Sequence, residues 1–204
     1  MYKKIFDLVY HPSYSNPEHI LLQRSAQVLY THFSQEIRDC NGTQVATNIV
    51  EFIDKMFDTM ECHEGLGLAA VQVGVPLNII VINSFSSDNA RVPLLKNKKL
   101  VMINPRIIEN SNTMNVYTEG CLSFGNIYPS ILRPRKIIVK YLNLNQETKV
   151  RKFKNNILVS CIQHEIDHTE GKVFLDRVIK LNERCRQLKK YFKWRNKQLN
   201  NNKR

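Results

Sequence analysis

The chain has 204 residues and a net charge of +12, a size that suits one domain with its own hydrophobic core. No stretch approaches the roughly 20 apolar residues of a membrane helix, and Asp7 with His11-Pro12 breaks the N-terminal apolar run too early for a signal peptide. Five cysteines without regular spacing are typical of a reducing compartment, so the composition argues against a membrane or secreted protein and predicts a cytoplasmic one.

Apolar periodicity predicts the elements of the N-terminal half. Residues 1–40 have scattered prolines and mixed patterning, so we expect loop with short elements there. The apolar side chains between Thr43 and Met60 fall on one helical face, which predicts a helix. The β-branched segment Leu77–Asn83 predicts a strand, whereas the polar segment Ser84–Lys99 predicts a mobile surface insertion.

Shorter β-rich segments follow, separated by turn residues. We expect three strands, at Leu100–Ile103, Arg106–Ile108 and Thr113–Thr118, with turns at Asn104-Pro105 and Asn110. Lys136–Asn143 and Thr148–Phe153 then predict a hairpin. Together with the helices, these strands predict an α+β fold in which antiparallel strands flank a buried helix.

That helix carries the sequence His164-Glu165-Ile166-Asp167-His168, inside an apolar stripe that predicts a helix from Asn155 to about Thr169. Residues four apart lie on one helical face, so His164 and His168 can bind one metal ion. Glu165 is placed to hydrogen-bond a metal-bound water without being a ligand itself. Two histidines at this spacing also occur by chance on surface helices, but the acid between them favours a metal site.

A catalytic metal needs a third protein ligand. Where some zinc peptidases have a third histidine, this chain has Phe174. A downstream glutamate is the other common ligand, but beyond Glu170 only Glu183 remains, in a strongly basic segment, so the ligand must lie upstream. The candidate is Cys121 in the sequence EGCLS, because a thiolate with two imidazoles suits zinc or ferrous iron and leaves one position for water. Cys161 is a rival, but with the two histidines it would span two helical turns, so we interpret it as a pocket wall or a small buried hydrophobe.

A glycine-rich segment, Gly65–Gly74, precedes the cysteine motif. Gly65 and Gly67 leave the backbone bare, so a peptide substrate can pair with it edge-on. Gln72 offers an amide N–H that stays neutral at every pH and can stabilise an oxyanion. A turn packed with small residues explains the glycines equally well, so this segment alone leaves both interpretations open.

Three motifs in this order, GLGLAAVQ, EGCLS and QHEIDH, resemble the peptide deformylase family, and the resemblance runs from about His11 to Asp176. It implies hydrolysis of the N-formyl group from the N-terminal formyl-methionine of new polypeptides, with release of formate. It also implies a fold in which antiparallel strands surround a central helix that carries the HExxDH sequence.

The resemblance also implies the site residues. One divalent metal ion would be bound by three side chains, those of Cys121, His164 and His168. Fe²⁺ is implied as the native ion, while the same donors accept Zn²⁺, Ni²⁺ or Co²⁺. Catalysis is assigned to Glu165 as general acid and base, with Gln72 and the backbone N–H of Leu122 as oxyanion donors.

Helix geometry and the family likeness together suggest the surroundings of the metal. The substrate-binding residues would be Leu66, Ile157 and Cys161 as walls of a methionine pocket, beside Gly65 and Gly67. We expect Arg133 to pair with Asp167, and Glu119 to fix the metal loop by hydrogen bonding.

The C-terminal segment is strongly basic. Residues 180–204 hold ten of the 30 Lys and Arg against Glu183 alone, with apolar residues at near-helical spacing. We therefore divide the chain into a catalytic domain, residues 1–179, and a basic C-terminal helix, residues 180–204. A solvated surface is the ordinary explanation of such charge, and contact with ribosomal RNA is the alternative.

Three other functions share parts of this pattern. A zinc peptidase would share the HExxH sequence, although Phe174 and EGCLS argue against it. A non-catalytic ribosome-binding protein would need only the basic helix. A cysteine hydrolase would use Cys121 as its nucleophile with a histidine base.

Overall fold

The computed structural model describes residues 6–10, 18–84, 98–154 and 157–201 of the chain. In these ranges it has three α-helices, α1 Ile49–Cys62, α2 Ile157–Thr169 and α3 Leu181–Asn201. The strands are β1 Ile37–Arg38, β2 Gln44–Ala46, β3 Gly67–Ala69, β4 Ile79–Ser84, β5 Lys98–Asn110, β6 Met114–Thr118, β7 Ser130–Pro134, β8 Lys136–Leu142 and β9 Thr148–Lys154. None of the described helices is both long and apolar enough to cross a membrane.

Five strands form one antiparallel sheet in the order β3-β4-β5-β8-β9. Two smaller antiparallel pairs, β1–β2 and β6–β7, lie outside it. Helix α2 packs against β3 and β4, which places it beside the glycine-rich segment that contains β3. The predicted α+β class with antiparallel strands is therefore confirmed.

Helix α1 starts at Ile49, so the predicted start at Thr43 was wrong. Residues Gln44–Ala46 form a strand that pairs with β1. The prediction failed because the apolar period of the helix continues through these three residues. Asn48 then caps the helix: its side chain accepts a hydrogen bond from the backbone N–H of Glu51 at 3.0 Å. The apolar face of α1 is buried as predicted.

A second prediction, of two separate strands at Leu100–Ile103 and Arg106–Ile108, was wrong. The segments expected as two strands separated by a turn at Asn104-Pro105 belong to the single strand β5, and its register with β8 shifts between Ile103 and Arg106. Asn104 has a φ of 52°, and its side chain bonds both the N–H and the carbonyl of Val28, at 2.8 and 2.9 Å. The Asn-Pro pair therefore marks a bulge within a strand and not a chain reversal.

The remaining strand predictions agree with the structure within two residues at each end. The predicted hairpin is β8–β9, paired from Lys136 with Lys154 to Leu142 with Thr148. Strand β7, which pairs with β6, was not predicted. Residues 85–97 of the expected insertion and the expected helix start at Asn155 lie outside the described residues.

Helix α3 agrees with the predicted C-terminal helix and packs against the rest of the chain. Tyr191 is fully buried in a hydrophobic cluster that includes Phe124, Phe174 and Cys121. Residues from both sides of the predicted boundary, 1–179 and 180–204, contribute to this cluster. The division into a catalytic domain and a C-terminal helix therefore stays a prediction.

Candidate active site

Helix α2 and the loop after β6 bring three metal-binding side chains together. The donor atoms of Cys121, His164 and His168 all lie within 4.8 Å of one another, and all three residues are buried. Cys121 Sγ lies 3.2 Å from His168 Nε2. A tetrahedral ion with bonds of about 2.0–2.3 Å would hold its ligand atoms roughly 3.3–3.7 Å apart. A divalent metal ion therefore fits this donor set, and a buried thiolate with two imidazoles is chemically suited to one.

The local sequence explains why Cys121 reaches the helix. Cys121 precedes a 3-10 turn, Leu122–Phe124, in which the Phe124 N–H donates to the Cys121 carbonyl at 2.9 Å. Gly120 lets the chain pass under an aromatic ring, because a Cβ at this position would lie 2.7 Å from the ring of Tyr128. The glycine therefore sets the approach of the cysteine to the histidines.

Glu119 orients the first histidine. His164 Nδ1 donates to Glu119 Oε2 at 3.0 Å, which leaves Nε2 of the same ring for the metal site. Glu119 also accepts hydrogen bonds from the Arg133 guanidinium and from Ser160 Oγ. Although burial acts in the opposite direction, the hydrogen bonds from Arg133 and His164 lower the pKa of Glu119 to about 2, so the carboxylate is ionised.

Arg133 also bonds a second carboxylate, that of Asp167 on α2. Its side chain is only 2% exposed, and Nη1 donates to Asp167 Oδ2 at 2.7 Å. Asp167 also pairs with Arg177. The expected Arg133–Asp167 pair and the expected hydrogen bonding by Glu119 are thus confirmed.

Glu165 lies on the wall of a cleft beside the metal-binding cluster. It is 4% exposed, and within the described part of the chain its Oε2 atom has no hydrogen-bond partner. Burial raises its pKa to about 7. A buried carboxylate oxygen without a partner, next to three metal donors, is suited to accept a proton from a water molecule.

Gln72 is held with its amide N–H groups towards the same cluster. Its Oε1 accepts from the Ala69 N–H at 2.9 Å, which fixes the orientation of the amide. Nε2 then lies 3.2 Å from Ser123 Oγ and 3.7 Å from Cys121 Sγ. Leu122, the first residue of the 3-10 turn, lines the cleft beside Cys121.

The cleft has a volume of about 540 Å³ and contains all five predicted substrate-binding residues, Gly65, Leu66, Gly67, Ile157 and Cys161. Burial raises the pKa of the Cys161 thiol well above its ordinary value, so the side chain stays neutral, as suits a pocket wall. His168 is 1% exposed and is not among the residues that line the cleft. Sequence reasoning missed Tyr10 and Trp194, which also line the cleft from opposite ends of the chain.

Gly67 offers a test of how closely this wall is packed. A Cβ there would lie 2.7 Å from both Cys161 Sγ and Glu165 Oε1. We expect Gly67→Ala to displace Glu165 and to lower kcat by roughly 100-fold, the usual effect of a misplacement of about 1 Å. Gly65→Ala is the comparison: its Cβ would meet the Leu122 and Met60 side chains at 3.0 and 3.2 Å and the Met60 carbonyl at 3.3 Å, but no side chain assigned to catalysis. Because Gly65 also lines the cleft, we expect this variant to change KM and to leave kcat within a few fold. Equal kcat values for the two variants would contradict the prediction.

Comparison with known proteins agrees with this geometry. Residues 19–184 match the family described as polypeptide deformylase. A peptide deformylase from Bartonella tribocorum is 40% identical to the chain over 158 residues, which cover 76% of this chain and 85% of the relative.

Solved structures agree as well. The crystal structure of peptide deformylase from Ehrlichia chaffeensis has a TM-score of 0.73 at 33% identity, and the match covers 96% of this chain and 99% of that one. A Met-Ala-Ser-bound class I type b peptide deformylase from Acinetobacter baumannii has a TM-score of 0.69 at 27% identity, covering 87% and 100% of the two chains. The chain therefore belongs to the polypeptide deformylase family.

Proposed function

We propose that this protein is a metal-dependent hydrolase that removes the N-formyl group from the N-terminal formyl-methionine of newly made polypeptides and releases formate. The observation that carries the proposal is the buried cluster of Cys121, His164 and His168 beside the unpartnered Oε2 of Glu165, among the described residues. Membership of the deformylase family and the Met-Ala-Ser peptide bound to the Acinetobacter enzyme support the same substrate class.

The positions of the side chains support the following roles. Cys121, His164 and His168 would hold the ion, which when bound lowers the pKa of a water ligand towards about 7. Glu165 takes a proton from the attacking water through Oε2. As the new C–O bond forms, Gln72 Nε2 and the Leu122 N–H hydrogen-bond the oxygen of the formyl group, which gains negative charge. Glu165 then gives its proton to the leaving amine as the C–N bond breaks.

The substrate would lie along the cleft. Gly65 and Gly67 leave room for the peptide backbone beside β3, and Leu66, Ile157 and Cys161 provide an apolar surface for the methionine side chain. Because Cys161 stays neutral and Ile157 is aliphatic, this part of the cleft favours an apolar side chain over a charged one.

Formate release from formyl-Met-Ala-Ser by anaerobically purified protein tests the proposal, with metal analysis of the same sample. We expect turnover that chelation abolishes. Cleavage of unformylated Met-Ala-Ser would favour a zinc peptidase, and activity that survives chelation would favour a cysteine hydrolase. Protein with a full complement of metal and no formate release would overturn the proposed function.

We further propose Fe²⁺ as the native ion and the cytoplasm as the site of reaction. The family resemblance favours Fe²⁺ among the ions that a thiolate and two imidazoles accept, and the five free cysteines suit a reducing compartment. Anaerobic protein should contain about one iron per chain and lose it with its activity in air. Zinc at one per chain, with no iron, would contradict the first of these proposals.

We also propose that α3 contacts ribosomal RNA. Its exposed lysines include Lys189, Lys193 and Lys197, which are four residues apart and therefore lie in one row along the helix. Such a row is suited to a line of phosphates, and the enzyme would meet its substrate where new chains emerge.

Replacing these three lysines by glutamate should weaken sedimentation with ribosomes, and binding of the unaltered protein should fall steeply with salt. Formate release from the short peptide should not change, since none of the three lines the cleft. Glutamate at the exposed strand lysines Lys136 and Lys140 is the control. If both sets sediment with ribosomes as the unaltered protein does, α3 is only a solvated surface.

A further inference from the structure

One end of the cleft is aromatic. The rings of Tyr10 and Trp194 both line it, with their centroids 5.6 Å apart, and the Arg195 guanidinium lies 4.6 Å from the centre of the Tyr10 ring. We call Tyr10 and Trp194 the aromatic wall. Both residues are partly exposed, so the wall offers apolar ring surface to anything that occupies the cleft.

Trp194 is held in place by the packing of α3. The neighbouring Tyr191 is fully buried, and its ring lies 5.1 Å from Phe124 and 6.0 Å from Trp194. Phe124 in turn ends the 3-10 turn that begins beside Cys121. A continuous series of ring contacts therefore links the position of Trp194 to the loop that carries the metal-binding cysteine.

The missing side chain of Gly125 leaves room for the Trp194 indole. Gly125 has a φ of +61°, which favours glycine, and a Cβ at this position would lie 2.7 Å from three atoms of the Trp194 ring system. Any other residue at position 125 would push the ring away. Trp194 is therefore packed against the backbone of Gly125 and forms part of the cleft wall.

The aromatic wall and the surface proposed for methionine line the same cleft but belong to different elements. Ile157 and Cys161 belong to α2, whereas Trp194 belongs to α3 and meets the chain at Gly125. A formyl peptide bound with its formyl group at the metal-binding cluster and its first side chain against α2 must continue along the rest of the cleft. The aromatic wall is therefore available to a residue that follows the methionine.

We propose that Tyr10 and Trp194 determine specificity by binding an apolar or aromatic side chain at the second or third position of the substrate. Apolar side chains gain by leaving water for the ring surface, and an aromatic one gains further from ring contact. The inference rests on the proposed function and adds a preference that the metal cluster and Glu165 do not provide.

Three peptides test it: formyl-Met-Ala-Ser, formyl-Met-Phe-Ser and formyl-Met-Ala-Phe. We expect kcat/KM to be about tenfold higher for at least one phenylalanine peptide than for formyl-Met-Ala-Ser, mainly through KM. Trp194→Ala and Tyr10→Ala should each remove most of this ratio, whereas Trp194→Phe should keep part of it. Leu199→Ala is the control, because Leu199 is on the same helix and does not line the cleft.

The ratio between peptides is measured on one enzyme sample, so a loss of folded or metal-bound protein leaves it unchanged. If Trp194→Ala lowers kcat/KM for all three peptides in equal proportion, Trp194 only stabilises the fold, and the proposal is overturned. The absence of any preference in the unaltered protein would overturn it as well. Failure of the unaltered protein to release formate from any of the peptides would instead reject the proposed function.

Discussion

Glu165→Gln should lower kcat for formate release by about 10²–10⁴ while leaving one metal ion per chain, since positioned general acid–base groups contribute on that order. The amide has nearly the shape of the carboxylate but cannot accept a proton from water. The three metal donors belong to other residues, and Glu165 Oε2 is not hydrogen-bonded to any described residue. The substitution therefore removes the proton acceptor without removing a support of the metal site.

Glu170→Gln provides the comparison, because Glu170 lies directly after α2, is exposed and forms an ion pair with Lys172, away from the cleft. It should behave like the unaltered protein. Formate release and metal content are measured on the same preparations. Loss of the metal in Glu165→Gln would make Glu165 a ligand, and a fall in kcat of only a few fold would move the proton transfer to another group.

The two histidines of the metal-binding cluster could be predicted from local geometry, because histidines four apart share a helical face wherever the helix lies. Cys121 is distant in sequence, and it was predicted from the chemistry of the donor set and from the EGCLS motif. The hairpin β8–β9 was also predicted from local sequence, since its strands are adjacent in the chain. Local patterns of this kind do not require knowledge of the tertiary fold.

The wrong predictions concern segments whose local sequence pattern is compatible with two different structures. The apolar period of α1 extends back through Gln44–Ala46, which pair with β1, and only this long-range pairing separates the strand from the helix. Asn104-Pro105 has the composition of a turn, yet hydrogen bonds to Val28 hold it as a bulge within β5. In both cases tertiary contacts override the local propensity.

The aromatic wall could not be predicted from any local pattern. Tyr10 and Trp194 are at opposite ends of the chain, and the packing of Tyr191 against Phe124 helps to place α3 where the two rings meet. The available signal was weak: one tryptophan in a helix that is otherwise basic. From the sequence we considered only the positive charge of that helix, as a solvated surface or a contact with ribosomal RNA. The structure shows that the helix also lines the cleft.

Arg133→Met should destabilise the protein by roughly 3–5 kcal/mol, the usual cost of removing one partner from a buried ion pair. Arg133 is 2% exposed and forms ion pairs with both Glu119 and Asp167. Methionine fills much of the same space but donates no hydrogen bonds. Glu119, whose pKa the arginine helps to hold at about 2, would remain buried near His164 without its main cation.

Two measurements separate the consequences. Chemical denaturation of metal-free protein should show the loss of stability, and metal titration should show a 10–100-fold weaker affinity, because Glu119 orients the His164 ring. Arg38→Met is the matched control: it removes the exposed pair with Glu36 and should cost no more than about 1 kcal/mol. The prediction is contradicted if Arg133→Met is no more destabilising than Arg38→Met. In that case the buried arginine is not what stabilises the two carboxylates. Their remaining partners, Ser160, His164 and Arg177, would then be sufficient.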